Sequence, residues 1–266
     1  MDANHVSKKA KAIRRHVCEA TTTAGSGHPG GSLSAADVLA TLYFHTLRHK
    51  PKEPNWPERD RFVLSKGHAA PALYAALAEA GYFPLSDLKG LRKIGHHLQG
   101  HPSMKTPGVE ACTGSLGQGL SISVGMALAA RLDKRDNHIY CLVGDGECQE
   151  GQVWEAAMAA SNYHLDNLTV VIDRNGLQID GFTEDVMAIE PFAAKWRAFG
   201  WHVIKINGHN IPEIMAALAH REEGKPVAII ANTIKGSGVS FMENVAGFHG
   251  TPADQQQLEQ ALEELQ

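Results

Sequence analysis

Short apolar runs alternate along the chain with longer segments of helical periodicity. The runs of strand length are Arg61–Leu64, His138–Val143, Leu168–Ile172, His202–Ile206 and Val227–Ala231. Most of them lack polar alternation, which indicates strands that are buried on both faces. Because helical patterns lie between them, we predict an α/β fold: a doubly wound, mainly parallel sheet with helices on both faces. In such sheets ligands bind at the carboxyl ends of the strands.

Further helices are expected around this sheet. The helical patterns cover residues 6–24, 69–80, 116–132, 150–163 and 210–222. Between the first two, we expect Ser34 to cap a helix that runs to about His45. The last segment, TPADQQQLEQALEELQ, also has a helical pattern, and we expect Thr251 at its N-cap and Pro252 at its first position.

The composition excludes several classes of function. The 266 residues include 25 basic and 29 acidic side chains, for a formal net charge of −4. This mild acidity gives no reason to expect nucleic acid or a membrane as a partner. No apolar run has the length of a membrane helix, and no secretory signal is recognisable at the N-terminus. The four cysteines form no CxxC pair, so we expect reduced thiols and a cytoplasmic protein.

Two oxygen-rich turns follow neighbouring strands. Gly144-Asp145-Gly146-Glu147 comes after the second apolar run, and Asp173-Arg174-Asn175-Gly176-Leu177 comes after the third. A GDG sequence alone is a common turn, but two such turns about 30 residues apart have the spacing of a βαβ unit. Asp145, Asn175 and the Leu177 carbonyl can supply the oxygens that Mg²⁺ prefers. Gly144 and Gly146 would let the backbone approach a phosphate closely.

The residue sequence of these turns resembles that of transketolase. The segment GDGECQEGQVWEAA followed by DRNGLQIDG resembles the form of the thiamine diphosphate motif that is found in that family. Four other blocks resemble transketolase segments in the same order: SGHPGGSLSAADVLATLYF at 26–44, DRFVLSKGHAAPALYAALAEAGY at 60–82, GHP at 100–102 and TGSLGQGLSISVGMALA at 113–129. TIKGSGVSFMEN and FHG resemble the block that closes the family's first domain, so the resemblance covers nearly all of residues 6–250.

This resemblance implies a role for individual residues. Asp145, Asn175 and the Leu177 carbonyl would hold Mg²⁺, or Ca²⁺ or Mn²⁺ in its place, against the two phosphates of thiamine diphosphate. The residues expected along the cofactor are His68, Gly114, Leu116, Gly144, Asp145, Gly146, Glu147, Asn175 and His249. The expected catalytic residues are His28, His68, His101, His249 and Glu150. Among these, His28 and His101 resemble histidines of the substrate channel, and Glu150 resembles a glutamate that connects two active sites across the dimer.

The implied reaction is transfer of a two-carbon glycolaldehyde unit from a ketose phosphate to an aldose phosphate, with the pentose phosphate pathway as the default. In this family the glutamate that activates the cofactor belongs to a pyrimidine-binding domain. No such segment is recognisable here, so we expect residues 1–266 to form a single diphosphate-binding domain. We then expect a separately encoded partner subunit that carries the pyrimidine domain, with two copies of each chain (α2β2).

Alternatives remain for the function and for some residues. The chain could serve a related thiamine-dependent enzyme that acts on another ketose or on a sulfosugar, or it could be a non-catalytic scaffold subunit. The intact Asp145, Asn175 and Glu150 argue against the scaffold. No role is assigned to Cys148 or Lys235.

The chain has 15 histidines, and only four of them lie in the transketolase-like blocks. Imidazole suits proton transfer to and from hydroxyl groups near neutral pH, which this chemistry requires. The pairs His45/His49 and His97/His101 have the i,i+4 spacing of a helical zinc site, but neither has an obvious third ligand. We therefore expect no zinc at these pairs.

Overall fold

The computed structural model describes residues 1–266, and its centre is a sheet of five parallel strands. Seven strands follow one another along the chain: β1 (Arg61–Leu64), β2 (Ile139–Gly144), β3 (Leu168–Arg174), β4 (Leu177–Gln178), β5 (Gly181–Phe182), β6 (His202–Asn207) and β7 (Val227–Asn232). Strands β4 and β5 form a small antiparallel hairpin, and the others form the sheet in the order β1-β2-β3-β7-β6. In the middle of the sheet, Leu142 lies beside Val171, which lies beside Ile229.

Helices cover both faces of this sheet. They are α1 (Ala3–Ala24), α2 (Pro29–Thr41), α3 (Ala70–Ala80), α4 (Gln118–Leu132), α5 (Gly151–Asn162), α6 (Thr183–Val186), α7 (Phe192–Ala198), α8 (Ile211–Ala219) and α9 (Gln255–Glu264). Successive side chains of β2 point to opposite faces. Tyr140 and Leu142 pack into the larger core with α1, α2, α3 and α8, while Cys141 and Val143 pack into the smaller core with α4, α5 and α7. Two apolar faces explain the uninterrupted hydrophobic strands, and the predicted fold class is confirmed.

The start of the second helix was predicted wrongly. Helix α2 begins at Pro29, five residues before the expected cap, because proline fixes a helical φ at a position that needs no N–H donor. Ser34 is buried inside the helix, where its hydroxyl donates to Asp173 Oδ2 at 2.7 Å. After Thr41 the chain continues into one turn of π-helix, Leu42–Thr46, so the predicted end near His45 is close.

The last helix also begins at a different residue from the one expected. Asp254, not Thr251, is the N-cap of α9, and Pro252 lies before the helix. The Asp254 carboxylate accepts from the Gln257 N–H at 2.8 Å, while the Gln257 side chain accepts from the Asp254 N–H at 3.0 Å. This reciprocal pair satisfies two backbone donors that a threonine cap without a glutamine three residues later would leave open.

Three short elements were not predicted: the β4–β5 hairpin, α6 and α7. The hairpin strands have only two residues each, too few for a periodic pattern. The hairpin and α6 follow the second oxygen-rich turn directly, and residues 177–180 of the hairpin line the pocket described below. No helix in the structure combines the length and the apolar character that crossing a membrane requires.

Candidate active site

A cavity of about 340 Å³ opens at the carboxyl ends of the sheet strands. All thirteen residues predicted for the site line this cavity: His28, His68, His101, Gly114, Leu116, Gly144, Asp145, Gly146, Glu147, Glu150, Asn175, Leu177 and His249. They come from segments that are far apart in sequence. The parallel topology collects them because β1, β2, β3 and β7 all end at the same edge. Their placement together agrees with the predicted site, while their roles are predictions.

The three proposed metal ligands lie on adjacent turns after β2 and β3. Asp145 is 1% exposed, and its Oδ2 accepts from the Gly176 N–H at 2.6 Å and from Arg174 at 3.0 Å. Asn175 Oδ1 accepts from the Leu177 N–H at 3.1 Å, which holds the amide group in place. The Leu177 carbonyl accepts only a long contact of 3.3 Å from Lys235. The other carboxylate oxygen, Asp145 Oδ1, accepts only from the Gly146 N–H, at 2.8 Å. This oxygen, Asn175 Oδ1 and the Leu177 carbonyl each retain a free lone pair, so the set fits a hard cation.

The carboxylate of Asp145 is in an unfavourable place without a cation. Burial, together with the neighbouring Asp173 carboxylate, raises the pKa of Asp145 above its ordinary value. The contacts from Gly176 and Arg174 offset this only in part. A divalent cation at these oxygens would supply the missing positive charge.

Lys66 and Asp173 form a buried ion pair beneath the cavity. Lys66 Nζ lies 2.5 Å from Asp173 Oδ2 and also donates to the Gly31 carbonyl at 3.0 Å. Burial by itself would raise the Asp173 pKa, but Lys66 and the hydroxyls of Thr233 and Ser34 hold it below the ordinary value. Asn175 Nδ2 also donates to this carboxylate, at 3.1 Å. Asp173 therefore orients a metal-ligand candidate without lining the cavity itself.

Lys235 brings a second ammonium group into the cavity. It is 2% exposed, and its Nζ lies 3.3 Å from the Leu177 carbonyl and 2.7 Å from His249 Nδ1. Burial and the nearby Lys66 charge lower the pKa of Lys235 to about 8. No carboxylate forms an ion pair with it. A buried cation that faces a cavity without a counter-ion is suited to binding an anion.

Glu147 connects three loops at the cavity wall. Its carboxylate accepts from the Gly117 N–H and the Gly144 N–H, both at 2.9 Å, and from the Ser65 hydroxyl. These donors belong to the segments after β1, before α4 and at the end of β2. Burial raises the Glu147 pKa above its ordinary value. The side chain thus holds the backbone of the cavity together, a positioning role beside the predicted contact with the cofactor.

Four histidines form one cluster in the cavity, and His249 connects it to Lys235. The His28 ring centroid lies 5.5 Å from those of His68 and His249 and 6.5 Å from that of His101. Burial is the largest cause that lowers each of their pKa values, to about 4 for His28 and about 3 for His249. The pKa of His68 falls well below its ordinary value and that of His101 also falls. All four rings are therefore neutral at pH 7.

The neighbours of two rings determine which nitrogen carries the proton. Arg92 Nη2 lies 3.1 Å from His28 Nδ1, and the Arg92 side chain also donates to Ser26 at 2.8 Å. Arginine can only donate, so His28 Nδ1 accepts and Nε2 carries the hydrogen. The Lys235 ammonium donates to His249 Nδ1 in the same way. Both neutral imidazoles can then present an Nε2–H donor to an oxygen in the cavity.

Several of these residues were missed by the sequence reasoning or left without a role. Lys66, Asp173 and Arg92 were not predicted, although Lys66 precedes His68 in the KGH segment and Asp173 begins the DRN segment. Lys235 was named without a role, because the sequence alone did not show that its side chain lies in the cavity. Cys148, the other unassigned residue, is 1% exposed, and burial holds its pKa well above the ordinary value. It is a packed thiol.

Glu150 lies at the rim of the cavity and is exposed. It ends the single 3-10 turn after β2 and comes directly before α5. The described residues give it no ion-pair partner. Its predicted contact across a dimer stays a prediction.

Comparison with known proteins identifies the family. A family model described as "Transketolase, thiamine diphosphate binding domain" matches residues 6–265. The chain is 50% identical to a 6-deoxy-6-sulfo-D-fructose transketolase subunit of Clostridium sp. (strain MSTE9), over 97% of this chain and 95% of that subunit. It is 43% identical to an apulose-4-phosphate transketolase subunit of Phocaeicola vulgatus, over 100% of this chain and 95% of that one.

Larger transketolases contain the same domain. The human transketolase is 44% identical over 96% of this chain, which spans 41% of that protein. The crystal structure of the Campylobacter jejuni transketolase superposes with a TM-score of 0.95 at 38% identity, covering 100% of this chain and 43% of that one. The chain thus spans nearly all of the two subunits and about two-fifths of these larger relatives. The chain belongs to the transketolase family of transferases, and it corresponds to the thiamine diphosphate binding domain of that family.

Proposed function

We propose that residues 1–266 act as one diphosphate-binding domain, the metal- and diphosphate-binding subunit of a thiamine diphosphate-dependent transketolase. It transfers a two-carbon glycolaldehyde unit from a ketose phosphate to an aldose phosphate. One observation carries this proposal: a single cavity has a set of oxygen ligands, a buried lysine without a counter-ion and a cluster of four neutral histidines beside that lysine. The oxygen ligands and the lysine suit a metal–diphosphate group, and the histidines suit proton transfer to sugar hydroxyls.

The residues present fit the metal and the cofactor. Asp145, Asn175 and the Leu177 carbonyl would hold Mg²⁺, or Ca²⁺ or Mn²⁺ in its place, and Lys235 would bind a phosphate oxygen. Gly144 and Gly146 leave room for the phosphates, and Gly114 and Leu116 lie where the rings would pass. When bound, thiamine diphosphate supplies the carbanion chemistry that breaks a bond beside a ketone.

The chain's own histidines would handle the substrate protons. His28 and His249 present Nε2–H groups that can donate to a sugar oxygen. His101 is exposed near His28, and His68 lies deeper beside His249. A neutral imidazole has one N–H donor and one acceptor nitrogen, whereas an imidazolium ring could only donate. In His28 and His249 the acceptor nitrogen faces Arg92 and Lys235, so these two rings donate into the cavity.

The metal assignment is tested by Asp145→Asn, which keeps the shape of the side chain and removes its charge. We expect the variant to lose Mg²⁺-dependent binding of thiamine diphosphate in calorimetry, because a charge-assisted ligand is removed from a buried site. Asp180→Asn is the matched control, since Asp180 is exposed at the rim of the same cavity. Its affinity should stay within about threefold of wild type. Unchanged affinity in Asp145→Asn would reject the metal assignment.

The active enzyme, we infer, contains a separately encoded subunit with the pyrimidine domain, as α2β2. Two relatives that this chain matches over 95% of their length are named as subunits. Exposed apolar side chains also lie beside the cavity, on the hairpin and α6: Ile179, Phe182, Val186 and Met187. Apolar groups gathered at one rim are typical of an interface. Glu150, exposed nearby, would face the second half of the assembly.

This interface is tested with a matched pair of methionines. Met187 is 61% exposed beside the cavity, and Met158 is 58% exposed on α5. We expect Met187→Asp to weaken association with the co-purified partner by at least about tenfold, and Met158→Asp to leave it unchanged. Light scattering gives the mass of each complex. Robust transketolase turnover by this chain alone would contradict the need for a partner.

The donor sugar is proposed as a ketose with an anionic terminal group. The names of the two subunit relatives specify a sulfonated fructose and a phosphorylated apulose. Both donors carry a fixed negative charge at one end. We would therefore measure kcat/KM for these two sugars and for the phosphates of five-carbon and six-carbon ketoses, each with the same aldose phosphate acceptor. Equal turnover of a neutral ketose would contradict the anionic requirement.

A further inference from the structure

A second cluster of metal-ligating side chains lies away from the cavity. His202 is the first residue of β6, His220 ends α8, and Glu222 lies in the turn that leads to β7. The cluster is therefore at the amino ends of these strands. The cavity lies at their carboxyl ends, about 17 Å away along a strand of six residues. The sequence spacing alone did not indicate it, because only one interval within it is short.

Three ligand atoms converge in this cluster. Glu222 Oε2 lies 3.3 Å from His202 Nδ1 and 3.4 Å from His220 Nε2, and all three atoms are within 4.8 Å of one another. In a tetrahedral zinc site with Zn–N bonds of about 2.0–2.1 Å, two ligand atoms lie about 3.3–3.4 Å apart. Both contacts with the carboxylate therefore have the length of an edge of that tetrahedron.

The contacts within the cluster are not explained by hydrogen bonding. His220 Nε2 is buried from solvent and forms no hydrogen bond, although the Glu222 oxygen is 3.4 Å away. The rings of His202 and His220 stack with their centroids 4.5 Å apart and their planes 24° apart, so binding of one ion by both rings requires one ring to rotate about its χ2 bond. The guanidinium of the adjacent Arg221 donates to the Tyr140 hydroxyl at 2.7 Å instead.

We propose that His202, His220 and Glu222 bind one tetrahedral transition-metal ion, with Zn²⁺ the best match. Two imidazoles and one carboxylate are a known zinc ligand set, and they leave a fourth position for water. Each of the three side chains is about one-third exposed, so the ion can enter from solvent. The bound ion would connect the end of α8 to the start of β6, at the edge of the sheet.

The test uses Co²⁺ and Zn²⁺ on the full chain, with excess Mg²⁺ in every sample to occupy the oxygen-rich site. We expect one Co²⁺ per chain with the intense visible bands of tetrahedral coordination, displaced by stoichiometric Zn²⁺. At a free concentration of 100 times Kd, Zn²⁺ should raise Tm by about 5 °C. His220→Gln and Glu222→Gln should each weaken Zn²⁺ binding by more than the roughly 10- to 100-fold typical of losing an outer partner.

His97→Gln tests the competing cluster, because Asp87, His96 and His97 also bring three ligand atoms within 4.8 Å of one another. There the contact between His97 Nε2 and Asp87 Oδ2, at 3.3 Å, is a hydrogen bond. This variant should keep the metal, the spectrum and the Tm shift. Circular dichroism of each variant shows that it is folded, and the two ligand variants change different elements. The proposal is overturned by substoichiometric binding, by a weak octahedral spectrum, by unchanged affinity in both ligand variants, or by equal loss in His97→Gln.

Discussion

Removal of the Lys235 ammonium is expected to weaken diphosphate binding in a way that depends on pH. The fall of the Lys235 pKa from 10.5 to about 8 corresponds to about 3 kcal/mol against the charged form. This cost arises because the side chain is 2% exposed and has no anionic partner. A bound diphosphate would be that partner, and it would return the pKa toward its ordinary value. Binding of the anion then recovers most of the lost free energy.

The sign of the pH effect follows from this linkage. Lys235 has the lower pKa in the free site and the higher one in the complex, so binding takes up a proton above about pH 8. Affinity is greatest below that pH and falls as the pH rises through 8. Lys235→Met should therefore bind thiamine diphosphate roughly 200-fold more weakly than wild type at pH 7, and only about tenfold more weakly at pH 9.5.

Calorimetry at several pH values measures both quantities, with Mg²⁺ in excess. Inorganic diphosphate serves as a second probe, because it needs none of the ring contacts. Lys225→Met is the control, since Lys225 is exposed and lies before β7 at the other end of the sheet. The reasoning is refuted if Lys235→Met binds within about threefold of wild type at pH 7. A wild-type Kd that is constant between pH 7 and 9.5 would refute it equally.

Two further predictions concern the histidine cluster and the contact between Gly67 and Gly114. His101→Ala should lower kcat by at least about 100-fold while the thiamine diphosphate Kd stays within about threefold, because His101 is grouped with His28 and Arg92 rather than with the lysines. Equal losses in both constants would contradict this. Gly67→Ala should weaken cofactor binding about tenfold, since its Cβ would lie 2.8 Å from the Gly114 nitrogen. In a urea titration the variant should also unfold at a lower urea concentration than wild type. Gly125→Ala in α4, which meets nothing within 4 Å, should be slightly stabilising in the same urea titration.

The sheet could be predicted from the sequence because both of its faces are buried. β2 and β3 read as apolar runs, and their ends could be placed within two residues. The two helix starts that were wrong, at Ser34 and Thr251, depended on a choice among several capping residues. Pro29 fixes the start of α2, and the Asp254–Gln257 pair fixes the start of α9. Both starts depend only on local geometry. Short elements such as α6 have no period to detect.

The site could be predicted only where a motif carried it. The metal ligands and the four histidines lie in recognisable sequence motifs, and all of them line the cavity. The residues that set their chemistry are different. Lys66 meets Asp173 across 107 positions, and Arg92 meets His28 across 64. Such pairs exist only in the folded chain, because no local pattern connects the two partners. His202 and Glu222 of the second cluster are paired in the same way.

The two lysines connect the binding of the cofactor to the state of the histidines. After burial, Lys235 and Lys66 are the first charges that lower the pKa values of His249 and His68, respectively. Asp145 and Asp173 oppose the lysine charges on the other side. A divalent cation and a diphosphate nearly cancel each other, so they can enter without changing this balance greatly. The imidazoles would then remain neutral in the loaded site, as proton exchange with sugar hydroxyls requires.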